Sequence, residues 1–570
     1  MFLFWSSILN ILEARCLDYK PSKNIFWGDL HVHTAHSLDA SLQGIVTDHQ
    51  EAYDFAKGLS VALGEEKLPV QLSRPLDFVA ITDHAEFLGE TEICTNHRIR
   101  GYNSLTCRFY RNHPKTAFIL FNAKLSQIPK DNTSKLRRIH LCNQKGIDCL
   151  GVAEDVWQRQ VELAQANNSA CSFTTFSAYE WSASPRTQNL HRNIIFRDKA
   201  VPKTPFSYFD SPTPSQLWND LDQACVGECA YITIPHNSNL SSGKMFLPYR
   251  EAKSSKDKHE LLQYAERRAS HEPLVEIFQH KGSSECYPTQ ADELCSFEYL
   301  PFNNLIADRY DGFLTDTPSS NDFLRSVLKE GLMYEREEGV NPYQFGFVAS
   351  TDTHLGTPGM VEEQQFVGHG GAGSSAKEQG EIVDSPYFNG GGLTAVWAEE
   401  NTRESIFSAF ERREVYGTSG PRIVLRFFAT TEKLEGDCGS EQWLESAYQS
   451  GVPMGGEIEN NGKLHFYILA EQDPLSAPLE LVQIIKGWIE DDGSREKMDS
   501  LKLNQAQSSY CLHWQDPSER AGAAFYYVRA LEKESPRWSQ KICMESKCPE
   551  EIPEMIRERA WSSPIWVTNR

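Results

Sequence analysis

The sequence predicts an α/β protein, with a barrel over residues 21–422 and a β-rich module over 423–570. Three observations predict it. Short apolar runs recur through the first two thirds of the chain, and near-continuous apolar runs are how buried parallel strands read. The spacers between them hold helical stretches such as "EDVWQRQVELAQAN" and "PSQLWNDLDQA", the alternation that βα units require. Nearly every run also carries His, Asp or Glu at or beside its end, and a barrel gathers its functional side chains at the C-terminal ends of its strands. One such end would be an ordinary loop cap, whereas five or six in succession point to a common mouth.

The elements follow in order. "NIFWGDL" leads into "HVHTAHSLDA", where His31 and His33 stand at i and i+2 and so share one face of a strand; His36, Ser37 and Asp39 follow. "PLDFVAITDH" ends at Asp83 and His84. "FTTFSAYEW" carries Glu180, "HRNIIF" opens with His191 and Arg192, and "CAYITIPHN" ends at His236 and Asn237. "PLVEIFQHK" carries Glu276 and ends at His280 and Lys281, and "FGFVASTDTH" ends at Asp352 and His354. The Gly-, Ser- and acid-rich stretch 358–392 reads as a lid over the site or as a surface insertion. "NTRESIFSAFERREVYGTSG" predicts the last helix of the barrel, capped by Asn401 or Thr402. Beyond residue 422, "RIVLRFFAT", "KLHFYILAE", "LELVQIIKGW" and "AAFYYVRALE" predict an antiparallel module that carries little chemistry.

Composition narrows the function. With 78 acidic against 56 basic residues the net charge is −22, which argues against a nucleic-acid or anionic-membrane surface. The opening apolar run is too short to span a bilayer; residues 1–20 are read either as a signal-like leader or as an ordinary first element. Of 14 cysteines, eight stand in close pairs: Cys142/Cys149, Cys225/Cys229, Cys286/Cys295 and Cys543/Cys548. No CxxC…CxxC zinc pattern accompanies them, so local disulfides and an exported or periplasmic location are favoured over the cytoplasm.

His31, His33, Asp39, His84, Glu180, His191, His236, Asp352 and His354 form the candidate constellation: six imidazoles, three carboxylates and no thiolate. That donor set suits Zn, Mn or Fe, and nine ligands exceed one ion and fit two or three. Two adjacent metals can clamp the attacking and leaving oxygens of a phosphoryl displacement. Asp83 is read as the acceptor that orients an imidazole. Arg192, Lys281 and Arg422 are candidate phosphate contacts, with structural ion pairing as the competing role; Asn237 and Asn239 either bind substrate or form a turn, and His280 and Glu276 either line the pocket or sit inside their strand. No P-loop or nucleophile elbow is present.

"GDLHVHTAHSLDA", "AITDHAEF", the Glu180–His191 pair, "IPHN" and "STDTH" resemble the successive motifs of the PHP (polymerase and histidinol phosphatase) superfamily. "GGLTAVWAEENTRESIFSAFERREVYGTSGPRI", "AFYYVRALEKESPRWSQ" and "ERAWSSPIW" resemble a large bacterial family, DUF3604. The resemblance covers residues 24–568 and implies a distorted (β/α)7 TIM-like barrel with a trinuclear centre that hydrolyses phosphoesters. It implies one metal at His31, His33, Glu180 and Asp352, a second shared through Glu180 with His191 and His236, and a third at Asp39, His84 and His354. Metal-bound hydroxide would be the nucleophile, with no side-chain nucleophile, and the partner would be a small anionic substrate. Hydrolysis of another ester or amide, or a metal-stabilised binding protein without turnover, are the alternatives.

Overall fold

A computed structural model describes residues 15–568 apart from 64–67, 131–134, 289–291, 305–317, 365, 371–384, 460–462, 492, 505, 518–521 and 546–551. Most of the expected leader, the middle of the expected lid and Cys548 therefore lie outside the described residues.

The strands that carry the predicted motifs are β1 (Asn24–Asp29), β2 (Phe78–Ile81), β3 (Thr174–Trp181), β4 (Arg192–Phe196), β5 (Tyr231–Pro235), β6 (Leu274–Gln279), β7 (Gly346–Ala349), β8 (Leu393–Ala398) and β9 (Val415–Thr418). β1, β2 and β3 run parallel. β3, β4 and β5 are antiparallel neighbours, and so are β1, β8 and β9. The expectation of parallel strands throughout is corrected here: the class is α/β, with a large mixed sheet. The reason is local, because the short link from Trp181 to Arg192 can close a hairpin but cannot house the helical crossover that a parallel pair needs.

β6 and β7 pair in parallel as part of a second sheet. That pair lies against β5 on one side and against β8 and β9 on the other. Side chains from all nine strands meet in one cluster, among them Phe26, Phe78, Phe176, Ile195, Ile234, Leu274, Val348, Val396 and Val415. Burying each of the larger ones contributes about 1.5–3 kcal/mol. Gly28 permits the close approach of β1 to β2, since a Cβ there would meet the Phe78 ring at 2.3 Å.

The helices that matter below are α1 (Pro114–Leu125), α2 (Cys149–Asn167), α3 (Pro214–Ala224), α4 (Lys258–His271), α5 (Leu324–Glu338) and α6 (Arg403–Glu411). α2 and α3 fall on the two stretches that the sequence marks as helical. α6 is capped by Thr402, whose side chain accepts from the Ser405 amide. Asn401 instead accepts from the Thr174 hydroxyl at 2.7 Å. Phe407 and Phe410 of α6 plug the shared strand cluster.

The C-terminal strands are β10 (Val424–Thr430), β11 (His465–Glu471), β12 (Leu479–Glu490), β13 (Gly493–Lys502), β14 (Ser509–Gln515), β15 (Ala524–Glu532), β16 (Arg559–Ser562) and β17 (Ile565–Thr568). β10, β11 and β14 make a small antiparallel sheet of their own. β16 pairs with β9 and with β15, and β15 also pairs with β12 and β17. The main sheet thus runs unbroken across the expected boundary at 422/423.

A buried polar joint reinforces that continuity. Glu285, 2% exposed, accepts from Arg325 at 2.9 Å, Tyr527 at 2.6 Å, Arg529 at 3.1 Å and Trp561 at 2.7 Å. The predicted disulfides Cys142–Cys149, Cys225–Cys229 and Cys286–Cys295 are present. Cys16–Cys171, Cys94–Cys107 and Cys438–Cys511 are added over longer spans. No helix among the described residues is long and apolar enough to cross a membrane.

Candidate metal centre

The nine predicted ligands converge at the ends of β1, β2, β3, β5 and β7, with Glu180 the last residue but one of β3 and His191 directly ahead of β4. Glu180, 1% exposed, lies at their centre. Its Oε1 is 2.6 Å from His191 Nδ1 and 3.2 Å from His236 Nε2. Its Oε2 is 3.4 Å from His31 Nε2, 3.2 Å from His33 Nε2 and 3.2 Å from His84 Nδ1. Asp352 Oδ1 is 3.2 Å from His31 Nε2 and 3.1 Å from His33 Nε2. Asp39 Oδ2 faces His84 Nε2 at 3.1 Å and His354 Nε2 at 2.8 Å. Asp352 sits in the left-handed region at φ 53°, a conformation that Asp tolerates better than most residues. It places the carboxylate just past the end of β7.

Four of the six imidazoles have a partner on the other side of the ring; His236 Nδ1 has none. His31 Nδ1 lies 3.1 Å from Glu276 Oε2. His33 Nδ1 lies 2.9 Å from Ser37 Oγ, which donates to Asp83 Oδ1 at 3.0 Å. His191 Nε2 lies 2.8 Å from Ser184 Oγ, and His354 Nδ1 lies 2.9 Å from the Asp352 carbonyl. Such outer partners fix tautomer and ring orientation around a metal.

Asp83 acts on imidazoles other than that of its sequence neighbour. It does not touch His84, whose Nδ1 is 2.6 Å from Ser182 Oγ. Asp83 accepts from the Thr34 amide at 2.7 Å and faces His49 at 2.6 Å; it reaches His33 through Ser37, and its carbonyl accepts from the Glu180 amide at 3.1 Å. His36 turns away and stacks on His49, with centroids 4.5 Å apart.

Two predicted phosphate contacts lie elsewhere. Arg192 is fully buried and pairs with Glu272 at 2.5 Å. Alternation along β4 sends it to the face opposite that of its neighbour His191. Arg422 donates to the carbonyls of Arg74 and Pro75 at 2.8 Å each, and its amide donates to Asp473. Lys281 and Asn237 do line the cavity; Lys281 pairs with Asp352, and Asn237 accepts from Gln279. Asn239 is buried and donates to the Lys281 carbonyl at 3.1 Å. His280 Nε2 is 3.4 Å from Asp352 Oδ2.

The charges are strongly coupled. Burial favours the neutral forms of Glu180 and Asp352, but surrounding imidazoles, with Lys281 at Asp352, hold both carboxylates well below their usual range. Burial also opposes protonation of His31, yet Asp352 and Glu276 outweigh it and push the imidazole up to about 10. His84 is raised by Glu180 and Asp39 against the same burial. His191 and His354 are pushed down to about 4 by burial, which Glu180 and Asp39 only partly offset.

Several triads bring three donor atoms within 4.8 Å of one another: His31/His33/Asp352, His33/His84/His354, Glu180/His191/His236 and His31/His236/Glu276. The donors are imidazole nitrogens and carboxylate oxygens, the set that borderline and hard divalent cations take. The buried His33 Nε2 is close to two carboxylate oxygens but makes no hydrogen bond to either. A lone pair facing anionic oxygens in this way is what a cation between them would reconcile, so the residues fit a metal. The cavity above them has a volume of about 370 Å³.

The orienting residues Glu276, Ser182, Ser184 and Gln279 carry weak sequence signals. Glu276 alternates correctly for the inner face of β6, while serines in "WSASP" look like any others before a turn.

Comparison with known proteins adds the following. A 2.20 Å crystal structure of a two-domain Bacteroides vulgatus protein, described as containing a predicted PHP-like metal-dependent phosphoesterase, aligns over 90% of this chain and 94% of its own, at 10% identity and a TM-score of 0.29. An uncharacterized Chlamydia pneumoniae protein is 28% identical over 199 residues, 33% of this chain and 24% of that protein. An uncharacterized Chlamydia trachomatis protein is 26% identical over 176 residues, 31% and 22% of the two chains. The match thus spans about a quarter of the Chlamydia proteins' length. The model of the family described as "Protein of unknown function (DUF3604)" matches residues 20–500 and 499–569. The chain belongs to the DUF3604 family.

Proposed function

We propose that the protein is a metal-dependent phosphoester hydrolase on a distorted (β/α)7 barrel of the PHP type. The observation that carries the reading is the ring of five imidazoles around the two oxygens of Glu180. In this reading His31, His33, Glu180 and Asp352 hold one cation, Glu180 extends to a second with His191 and His236, and Asp39, His84 and His354 hold a third. Two or three divalent ions, Zn, Mn or Fe, would supply the Lewis acidity that activates water and offsets the charge developing on a phosphoryl group.

The protein's own groups have definite tasks. Glu276, Ser182, Ser184 and the Asp83–Ser37 pair aim the imidazoles. Lys281 is the cationic Lys or Arg side chain among the cavity-lining residues and offers its ammonium to a substrate oxygen next to Asp352. The disulfides support an exported location.

A second reading rests on one geometry. Ser184 Oγ is 2.8 Å from His191 Nε2, and His191 Nδ1 is 2.6 Å from Glu180, which is the nucleophile–base–orienter order of a serine hydrolase.

Elemental analysis of chelator-free protein, beside the His31→Ala/His33→Ala double variant, tests the first reading. Two or three equivalents of metal that fall in the variant, with metal-dependent turnover on a phosphomonoester and phosphodiester panel, are expected. Less than one equivalent in both after reconstitution refutes it. Labelling of Ser184 by a fluorophosphonate, lost in Ser184→Ala, would establish the second.

A further inference from the structure

The cavity has two unlike walls. The floor is the cluster of imidazoles and carboxylates. The wall above it is apolar: Leu38, Phe87, Phe118, Ile119, Ala123 and Leu125 line it. Four of these lie on α1, whose sequence explains the arrangement. Ala117, Phe121 and Leu125, at i, i+4 and i+8, are buried in the core, and the adjacent stripe of Phe118, Ile119, Asn122 and Ala123 faces the cavity. Ile119 remains 49% exposed, an apolar side chain that the protein's own core does not use.

The neutral polar groups around the cavity are already engaged with one exception, the buried Thr187 hydroxyl, which has no hydrogen-bond partner. Ser182 and Ser184 face His84 and His191. Asn189 accepts from the His191 amide, Asn122 donates to the Phe118 carbonyl, Ser126 to the Asn122 carbonyl, and Asn237 accepts from Gln279. Thr187 can pair with a single hydroxyl, so a group with several, such as a sugar, would have to break the other bonds or bury its remaining hydroxyls unpaired, each at about 1–3 kcal/mol. A hydrocarbon group meets no such penalty and covers Ile119 and Phe118.

We infer that the substrate is a small phosphoester whose organic group is hydrocarbon, aryl or branched alkyl, seated on the Phe118–Ile119 stripe of α1. This rests on the phosphoesterase reading for the phosphate end and on the wall of α1 for the other. The volume of about 370 Å³ lies at the small end for ligand pockets and suits a single ring with its phosphate.

The test uses full-length protein loaded with Mn²⁺. Calorimetry compares cyclohexylmethylphosphonate with methylphosphonate, and turnover compares cyclohexylmethyl phosphate with glucose 6-phosphate. The ring is expected to tighten phosphonate binding about tenfold or more, and Ile119→Asn to remove most of that gain while leaving methylphosphonate binding unchanged. The ester with the hydrocarbon ring is expected to have the larger kcat/KM. Equal binding of the two phosphonates, binding of neither, or faster hydrolysis of glucose 6-phosphate overturns the inference. If a ring preference that depends on Ile119 is found without turnover of any phosphoester, the substrate-wall inference stands and the hydrolase reading falls.

Discussion

Glu276 offers the sharpest test of how the candidate centre is held. Its Oε2 lies 3.1 Å from His31 Nδ1, both groups are buried, and Oε1 has no hydrogen-bond partner. The Glu276→Gln variant keeps an acceptor of the same shape but removes the charge that makes the imidazole more basic; Glu276→Ala removes both. Loss of an outer partner costs about 10–100-fold in metal affinity, or about 1.4–2.7 kcal/mol. We therefore expect Glu276→Gln near the lower bound and Glu276→Ala near the upper. Competition of Zn²⁺ or Mn²⁺ against a chelator gives the affinity, elemental analysis the stoichiometry, and thermal unfolding confirms that the variants fold. Two results would refute the reasoning. If Glu276→Ala loses one whole equivalent while the rest bind unchanged, Glu276 is itself a ligand, a role that its position near His31 and His236 allows. If neither variant changes affinity, the contact does not aim His31 at a cation.

Three further outcomes are expected away from Glu276. Glu285 is displaced from its ordinary 4.5 to about 2: burial alone would raise it, but Arg529, Arg325 and Arg559 outweigh that. Its folded pKa is depressed, so it contributes about 3 kcal/mol of stability above pH 4.5, lost as pH falls toward 2; the urea midpoint of Glu285→Gln should be lower than wild type at pH 7 and converge with it on acidification. A variant equally stable at pH 7 would show that the joint is not held by charge. The neighbouring carboxylates raise His31 to about 10 and raise His84, so cation binding should release protons, and apparent affinity should fall as pH falls; binding heats that do not vary with the buffer's ionisation enthalpy would contradict this. The Cys16–Cys171 bridge closes a span of 155 residues, and its removal by Cys16→Ser/Cys171→Ser should cost about 2–5 kcal/mol, read as a lower denaturant midpoint; an unchanged midpoint would mean that the unfolded chain is not constrained by it.

The strand ends were readable from the sequence because several apolar runs in succession finish in ligand-type residues, a repetition that ordinary loop caps do not produce. "AITDH", "AYITIPHN" and "FVASTDTH" each combine such a strand with a side chain too polar for its neighbours. Strand direction was not readable. The β3–β4 hairpin and the pairing of β1 with β8 depend on loop length and on partners hundreds of residues away, while the apolar composition of each strand is the same either way. β13 escaped notice for a different reason: "GSREKMDSLK" fully buries none of its residues and is held as a strand by the full ladder that β12 supplies. Arg192 illustrates the limit of adjacency. Standing next to a ligand in sequence places a strand residue on the opposite face, and a guanidinium there served the core.

The seam between the two ends of the chain bears on how the protein acquires its shape. β1 takes one neighbour from nearby in sequence, β2, and the other from β8. Asp29, at its end, bonds to Thr351, 322 residues away. β9, in turn, pairs with β16 near the C-terminus. During synthesis the first strand therefore waits for most of the chain to emerge, and contacts of such long range are slow to form. His31 and His33 face Asp352 across that same seam. The donors of the proposed centre therefore come together only once that seam has closed.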